Sequence, residues 1–463
     1  MPISNAHPLY IEFLDFWETC RDSFTPNGVR AKREKYLPPT SGQIIDGFPN
    51  PESLGGKSYQ AYLTRAYYPD IFAEAVDAAV GIMHRKAPVI ELPSVLEPMR
   101  LKANAIGESL EMLLQRVNTE QLITGRLGLL GDLKLNGEGK VEPVIVMYKD
   151  KAVLNWDDIS TDTDVGDFRL VVLDESGQEL QSDLSWKYVE KFLLLGIVKD
   201  NNLDSSGVYQ FAKASKSDEI SNVTFELPSY RGQALNLIPF TTVNACDINP
   251  SPDYPPLMGL VNLCLAIYRG EADYRQNLFM QGQDTLVKIG DLNRDEETRV
   301  GAGSVINVPI GGDAKYVGVN SQGLPEQRQC LENDYKRAYS KSGQIADSTS
   351  RAKESGDALR IRVAAQTATL PQIAKAGAMG LERVLKALAV WLGANPDEVK
   401  ITPNLEFSET EFPSRTLVEI IQAKVQGAPI SNQSIHAYMR ERSLTKLTYE
   451  EELALLQAEE PSL

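Results

Sequence analysis

The chain has 463 residues, a formal net charge of −16 and a 42% hydrophobic composition, which leaves room for roughly two to four structural units of an ordinary globular protein. The acidic balance argues against a protein that coats nucleic acid, because counterion release needs clustered Lys and Arg. It still allows one that touches DNA without gripping it. No apolar run approaches the ~20 residues of a bilayer span, and the start "MPISNAHPLYIEFLDFWETC" lacks a basic n-region and a cleavage site. A cytosolic chain with no membrane contact is expected.

In chain order, His7 falls on an N-terminal arm. The segments 67–86 and 105–126 follow as helices, the first with Pro69 near its first turn. Strand-like runs then succeed one another: "LGLLGDLKL", "EPVIVMYKD", "FRLVVLDE", "WKYVEKFLLLGIV", "NVTFEL" and "LIPFTTVNA", parted by Asp, Asn, Gly and Ser clusters. This is an α+β region. "GDLKLNGEGK" reads as a hairpin turn and only superficially as a phosphate loop. The cluster Asp157, Asp158, Asp162, Asp164 and Asp167 has a spacing that suits a divalent cation. It lacks the fixed Gly and terminal Glu of a calcium loop, so a solvated turn is the better reading.

"PPLMGLVNLCLAIYRGEADYRQNLFMQG" (255–282) changes character halfway: apolar on every side from Leu257 to Tyr268, then charges and amides. As a helix over about 257–282 it spans roughly 39 Å, with Glu271/Arg275 at favourable spacing. Three short strands follow within 284–320: "DTLVKIG", "SVINVPI" and "AKYVGV". A second helix comes next, with Pro325 in its first turn and a narrow stripe of Leu331, Tyr335, Ala338 and Tyr339. Pairs Arg328/Glu332 and Glu332/Lys336 lie on its other faces. An excursion of about 37 residues cannot hold itself together. It either lies on the N-terminal region or finds neighbours in copies of itself around a symmetry axis.

Beyond it, "SKSGQIADSTSRAKESG" (340–356) reads as a loop or a frayed helix end, and 357–393 as a long helix that Pro371 should kink or break. Three short helices close the chain: "RTLVEIIQAKVQ" ended by Gly427, "SNQSIHAYMRER", and "TYEEELALLQAEE" with a Thr448/Glu451 capping box.

The residues that chemistry would need are scarce. His7, His84 and His436 are the three histidines, each read as structural rather than as a general base. No phosphate-loop, zinc-protease or nucleophile-elbow motif occurs. Cys20, Cys246, Cys264 and Cys330 form no C-x-x-C pair and read as buried reduced thiols. No catalytic residue, metal ligand or cofactor is expected.

The order of elements resembles the portal proteins of tailed bacteriophages. The resemblance rests on "GKSYQAYLTRAYYPDIFAEAVDAAVGIMHRKAPVIELP" and "LITGRLGLLGD", which look like the start of a wing domain. It continues through "LIPFTTVNA" and "YPPLMGLVNLCLAIYRGEADYRQNLFMQGQDTLVKIGD", similar to the passage from wing strand into a stem helix and then a strand. "AKESGDALRIRVAAQTATL" resembles the helix after the channel loop, and "LVEIIQAKVQGAPISNQSIHAYMRERSLTKLTYEEELALLQ" the C-terminal helical segment. The resemblance implies an α+β wing domain over 1–256, stem helices over 257–283 and 324–341, and a small clip over 284–323. A channel loop and kinked wing helix would occupy 342–409, and a helical crown 410–463. It further implies a ring of twelve subunits at one capsid vertex, assembled in the host cytoplasm, through which double-stranded DNA is packaged and ejected. Implied partners are the terminase large subunit, a tail adaptor, and the major capsid or scaffolding protein. Another phage head–tail adaptor is the alternative, and an unrecognised enzyme a more distant one. The basic residues Lys336, Arg337, Lys341, Arg351 and Lys353 cluster beside the small-residue segment. They read either as a solvated helix end or as DNA-backbone contacts in the channel.

Overall fold

Proline at the first helical position and an acceptor just before it set the first helix. Pro8 has no N–H to leave unsatisfied, and the His7 ring accepts from the Leu9 N–H at 3.2 Å. The same ring stacks on Trp156 with centroids 3.9 Å apart. Helix α1 (Pro8–Phe24) buries Phe13, Trp17 and Cys20, so the expected arm is a packed element. Helices α2 (Leu54–Arg65) and α3 (Ile71–Met83), the short strand β1 (Val89–Glu91) and α4 (Leu110–Thr124) follow in the chain, and α1 packs against α3 and α4. The computed structural model describes residues 3–135, 141–158, 167–200, 202–216, 218–219, 223–228, 230, 233–281, 285–289, 310–317, 323–342, 369–405, 407, 413–441, 444–445 and 447–459. The chain is a mixed α+β protein. It divides into two units, Met1–Lys353 with Gln366–Leu405, and Glu354–Ala365 with Glu406–Leu463.

In the first unit, β2 (Arg126–Leu135) and β3 (Val141–Lys149) form the hairpin expected around "GDLKLNGEGK", in register Leu127↔Lys149 to Leu135↔Val141. Strands β4 (Val153–Asp158), β5 (Phe168–Asp174), β6 (Gly177–Leu180), β7 (Trp186–Val189), β8 (Phe192–Lys199), β9 (Asn202–Leu203), β10 (Val208–Ala214) and β11 (Phe240–Asn244) follow. They make a three-stranded sheet β11-β2-β3, a larger sheet β10-β8-β5-β4 with β9 on β8, and a β6-β7 ribbon. "WKYVEKFLLLGIV" is therefore two strands, divided at Glu190 and Lys191. The described part of "NVTFEL" contributes only a bridge, Glu226 to Phe211. Strands β4 and β10 were not legible as strands beforehand.

Helix α5 (Met258–Gln281), strands β12 (Thr285–Ile289) and β13 (Asp313–Val317), and helix α6 (Leu324–Lys341) come next. Helix α7 (Leu370–Trp391) then covers the three-stranded sheet, burying Leu381, Val384, Leu385 and Leu388 in the main core. The approach is close: a Cβ at Gly380 would stand 2.2 Å from Val243 Cγ2. Pro371 lies in the first turn of α7, not inside a longer helix, where its missing N–H costs nothing. Most of the expected helix before it, residues 357–368, lies outside the described residues. A last strand, β14 (Lys400–Thr402), returns to pair antiparallel with β1 through Ile90↔Ile401. Cys20 and Cys264 are buried as expected, but Cys246 and Cys330 are exposed.

The second unit holds α8 (Pro413–Val425), α9 (Asn432–Glu441) and α10 (Tyr449–Glu459). Gly427 takes the left-handed conformation (φ +101°) that stops α8. The Glu451 N–H donates to Thr448 Oγ1 at 3.3 Å and the Thr448 N–H to Glu451 Oε2 at 2.8 Å, completing the expected box. His436 is buried, with Nε2 4.0 Å from Glu452 Oε2 and its ring edge-on to Tyr449.

Candidate functional site

The two-faced segment is one helix. Leu260, Val261, Cys264, Leu265, Ile267 and Tyr268 of α5 are buried, and Ala272 alone follows them inward. The entry to this helix is fixed from behind. The Asn244 side-chain amide donates to the carbonyls of Asn249 (2.9 Å) and Ser251 (2.8 Å), and Asn244 Oδ1 accepts from Arg126 at 3.3 Å. Arg126 is wholly buried, its guanidinium 4.4 Å from the Trp156 ring centre, and burial lowers its pKa to about 9.

The polar half of α5 does not hang free on all sides. Tyr62 donates to Asp273 at 2.5 Å, Arg65 to Gln276 at 2.9 Å, and the Arg65 guanidinium lies 3.6 Å over Phe279. Arg275 pairs with Glu271 at 2.6 Å, as the spacing predicted, and sits 5.3 Å over Tyr67. Much of the polar pattern thus answers α2 of the same chain, a use of those residues that the one-helix pattern could not reveal.

Helix α6 runs antiparallel beside it. Asn277 donates to Gln327 at 3.1 Å near one end, and Tyr335 donates to Glu271 at 3.1 Å in the middle. Burial, with Glu271 beside it, pushes the Tyr335 phenol well above its ordinary pKa. A Cβ at Gly270 would meet Leu331 Cδ2 at 2.9 Å, so this glycine lets the helices close together, and Lys341 Nζ reaches back over Gly259 near the other end. Only Leu331 and Ala338 of α6 are buried, with Tyr335 and Tyr339 half-buried beside them, as the narrow stripe predicted. Arg328 pairs with Glu332 at 2.9 Å; the alternative partner, Lys336, has no ion pair among the described residues.

Lys336, Arg337 and Lys341 are exposed on one face of the last turns of α6, with Asn333 and Ser340 between them. Arg337 leans back on Asp334 at 3.6 Å. These cations favour the carbonyl end of the helix dipole whatever else they do. Arg351 and Lys353 lie outside the described residues. Between the helices, β12 and β13 pair antiparallel from Thr285↔Val317 to Ile289↔Asp313. No described side chain between 284 and 323 is buried, and Ile289 and Ile310 stand exposed. The middle expected strand falls almost wholly outside the described residues.

The acidic cluster is partly committed elsewhere. Asp157 accepts from Arg169 Nε at 2.8 Å, and Asp167 is ion-paired with Arg383. Asp162 and Asp164 lie outside the described residues. Among the described residues no three His, Cys, Asp or Glu gather as metal ligands, and no helix is long and apolar enough to cross a membrane. His84 meets the Asn118 amide oxygen at 2.8 Å inside the first unit.

One family model matches the chain, over residues 256–392, and is described as a domain of unknown function, DUF4055. It begins at the threshold of α5 and ends just past α7, covering less than half of the chain. No curated protein matches. Among solved structures, the chain is similar at 14% identity and a TM-score of 0.40 to a chain of the virion of a native gene transfer agent particle, over 86% of this chain and 97% of that one. It is similar at 13% identity and a TM-score of 0.38 to a chain of that native particle's neck computed with C12 symmetry, over 79% of this chain and 89% of that one. For the neck of the empty particle, computed with C6 symmetry, the identity is 14% and the TM-score 0.36, over 88% and 93% of the two chains. Scores this low carry no functional inference.

Proposed function

We propose that the chain is the subunit of a phage-type portal ring, with α5 and α6 as stem helices, the β12–β13 ladder as part of the clip, and double-stranded DNA passing along the axis. The observation that carries this reading is the bareness of α6: of its eighteen residues only Leu331 and Ala338 are buried. A helix polar on nearly every face is held by one partner helix and by whatever lies beyond it. Sister subunits supply that neighbour at no cost in new sequence, and the resemblance in the order of elements agrees. Lys336, Arg337 and Lys341, with Arg351 and Lys353, are then the backbone-touching cations of a channel whose net charge otherwise repels phosphate. The reading assigns no catalytic residue and places the motor in a separate terminase.

Native mass measurement with negative-stain imaging tests it. A closed ring with an axial hole is expected, of twelve copies by the resemblance. Twelve copies carry 12 × −16 = −192 formal charges, so assembly should improve as salt screens their repulsion. A chain that stays monomeric at high salt and high concentration sinks the proposal.

A further inference from the structure

The larger sheet of the first unit has a second apolar face, and the start of the chain lies on it. Leu154, Val172, Phe192, Leu194, Ala212 and Ala214 are buried there, on β4, β5, β8 and β10. The remaining buried member of this cluster is Ile3, 5% exposed, and Ala6 packs beside it. Residues 3–7 thus cross the sheet as a strap. The Ile3 N–H donates to the Asp218 carbonyl at 3.3 Å, the His7 N–H to the Leu154 carbonyl at 3.0 Å, and the Asn155 side-chain amide to the Asn5 carbonyl at 2.9 Å.

His7 joins this strap to α1. Its Nδ1 accepts from the Leu9 N–H, which requires a lone pair there, so the ring is neutral with its proton on Nε2. The ring stacks at 3.9 Å on one face of Trp156, which leaves the other face to the Arg126 guanidinium, 4.4 Å from the ring centre. The first turn of α1 holds no acid, and its Tyr10 hydroxyl donates to the Lys151 carbonyl. On β4, Asp157 already accepts from Arg169. A proton on Nδ1 would turn the acceptor into a donor facing the Leu9 N–H, and would set a positive charge at the positive end of the helix dipole. The indole offers that charge little compensation, because its opposite face already carries Arg126.

We propose that residues 3–7 are an acid-released strap with His7 as its catch. Above about pH 6.5, where free imidazole titrates, the cap is intact and the strap covers the sheet. As the pH falls below that value the cap is lost, and Ile3 and Ala6 lift more often from Leu154, Val172 and Leu194. The device is independent of the ring proposal, since every residue in it belongs to one chain.

Amide hydrogen exchange of the full-length protein tests it at about pH 7.5 and about pH 5.5, on either side of the free imidazole value, with each set corrected for intrinsic exchange rates. Opening of residues 3–11 should rise about fivefold at the lower pH, the size of one lost helix cap, while β8 and α7 keep their protection. His7→Asn supplies a cap acceptor that does not titrate, and should abolish the rise. Imidazole nitrogen NMR gives an independent readout. With His84→Gln and His436→Gln to assign the other two rings, His7 should show a bare Nδ1 at the higher pH. Equal protection at both pH values overturns the proposal, and so does a proton on Nδ1 at the higher pH or a rise that survives in His7→Asn. A His7→Asn chain already open at the higher pH overturns it too, because the Trp156 stack and not the cap would then hold the strap.

Discussion

Arg21 shows how a single charged side chain can hold several elements together. It bonds Glu120 on α4 at 2.6 Å and is ion-paired with Asp150, whose side chain is 1% exposed. Burying those carboxylates is tolerable only while a cation accompanies them, because the lost hydration exceeds what either could recover alone. Arg21→Met should therefore cost about 3 kcal/mol, since it leaves Asp150 buried without its cation beside Glu120, which keeps only Lys149 at 3.3 Å. Urea denaturation would read this as a lower midpoint, and Asp150→Asn in the same chain should recover part of it. An unchanged midpoint would show that the acids find water or another cation. Nothing in the sequence around Arg21 marks this role, because its partners are 99 and 129 residues away.

At the scale of the element, α6 is held to α5 chiefly by Leu331, the Tyr335–Glu271 hydrogen bond and the close approach at Gly270. The rest of α6 is solvent-facing, so its stability is local and low compared with the core. Leu331→Ala removes the side chain that fills the Gly270 position and should cost about 2–3 kcal/mol at that contact. The expected readout is faster amide hydrogen exchange across 324–341 in the isolated subunit, with exchange in β2 and α7 unchanged. Equal loss of protection in β2 would mean that α6 unfolds only with the core. The prediction also bears on assembly: sister subunits packed against α6 would slow exchange there, and the mutant effect should shrink in the ring.

For the whole first unit, most of the shifted groups act in one direction above neutrality. Burial first, with neighbouring acids, raises Tyr10, Tyr36 and Tyr59 from 10.0 to about 12. Cys20 and Cys264 rise from 9.0 to about 12 for the same reason. Each group is favoured neutral in the fold, so its contribution is fully present below the unfolded value and is lost as pH climbs toward the folded one. Arg126, lowered to about 9, acts in the opposite sense over part of that range, but as one group against five. Stability should hold to about pH 9 and fall steeply between about pH 10 and 12. Denaturant midpoints at pH 8, 9, 10 and 11 check this, and a flat profile would contradict the burial of these side chains.

The sequence alone determined what depends on neighbours a few positions away. The α5 and α6 helices, the Glu271/Arg275 and Arg328/Glu332 pairs, the Thr448/Glu451 box, the Gly427 stop and the β2–β3 hairpin all follow from periodicity, spacing or turn chemistry. So did the stripe Leu331, Tyr335, Ala338 and Tyr339, since one helix face is set by 3.6-residue repetition. Other features depended on residues far apart, and only tertiary structure could decide them. Ile90 meets Ile401 in β1–β14, Tyr62 takes Asp273, and the His7 ring stacks on Trp156. Strands β4 and β10 were missed for a related reason, because their strand character comes from pairing with β5 and β8 rather than from their own alternation. The polar half of α5 shows the division most clearly. Sequence fixes which residues are charged, but a charge pattern fits a sister subunit, a hydrated channel or a neighbouring helix equally well. Packing against α2 assigns one side of that pattern, because hydrogen bonds form only where the fold brings the partners within reach.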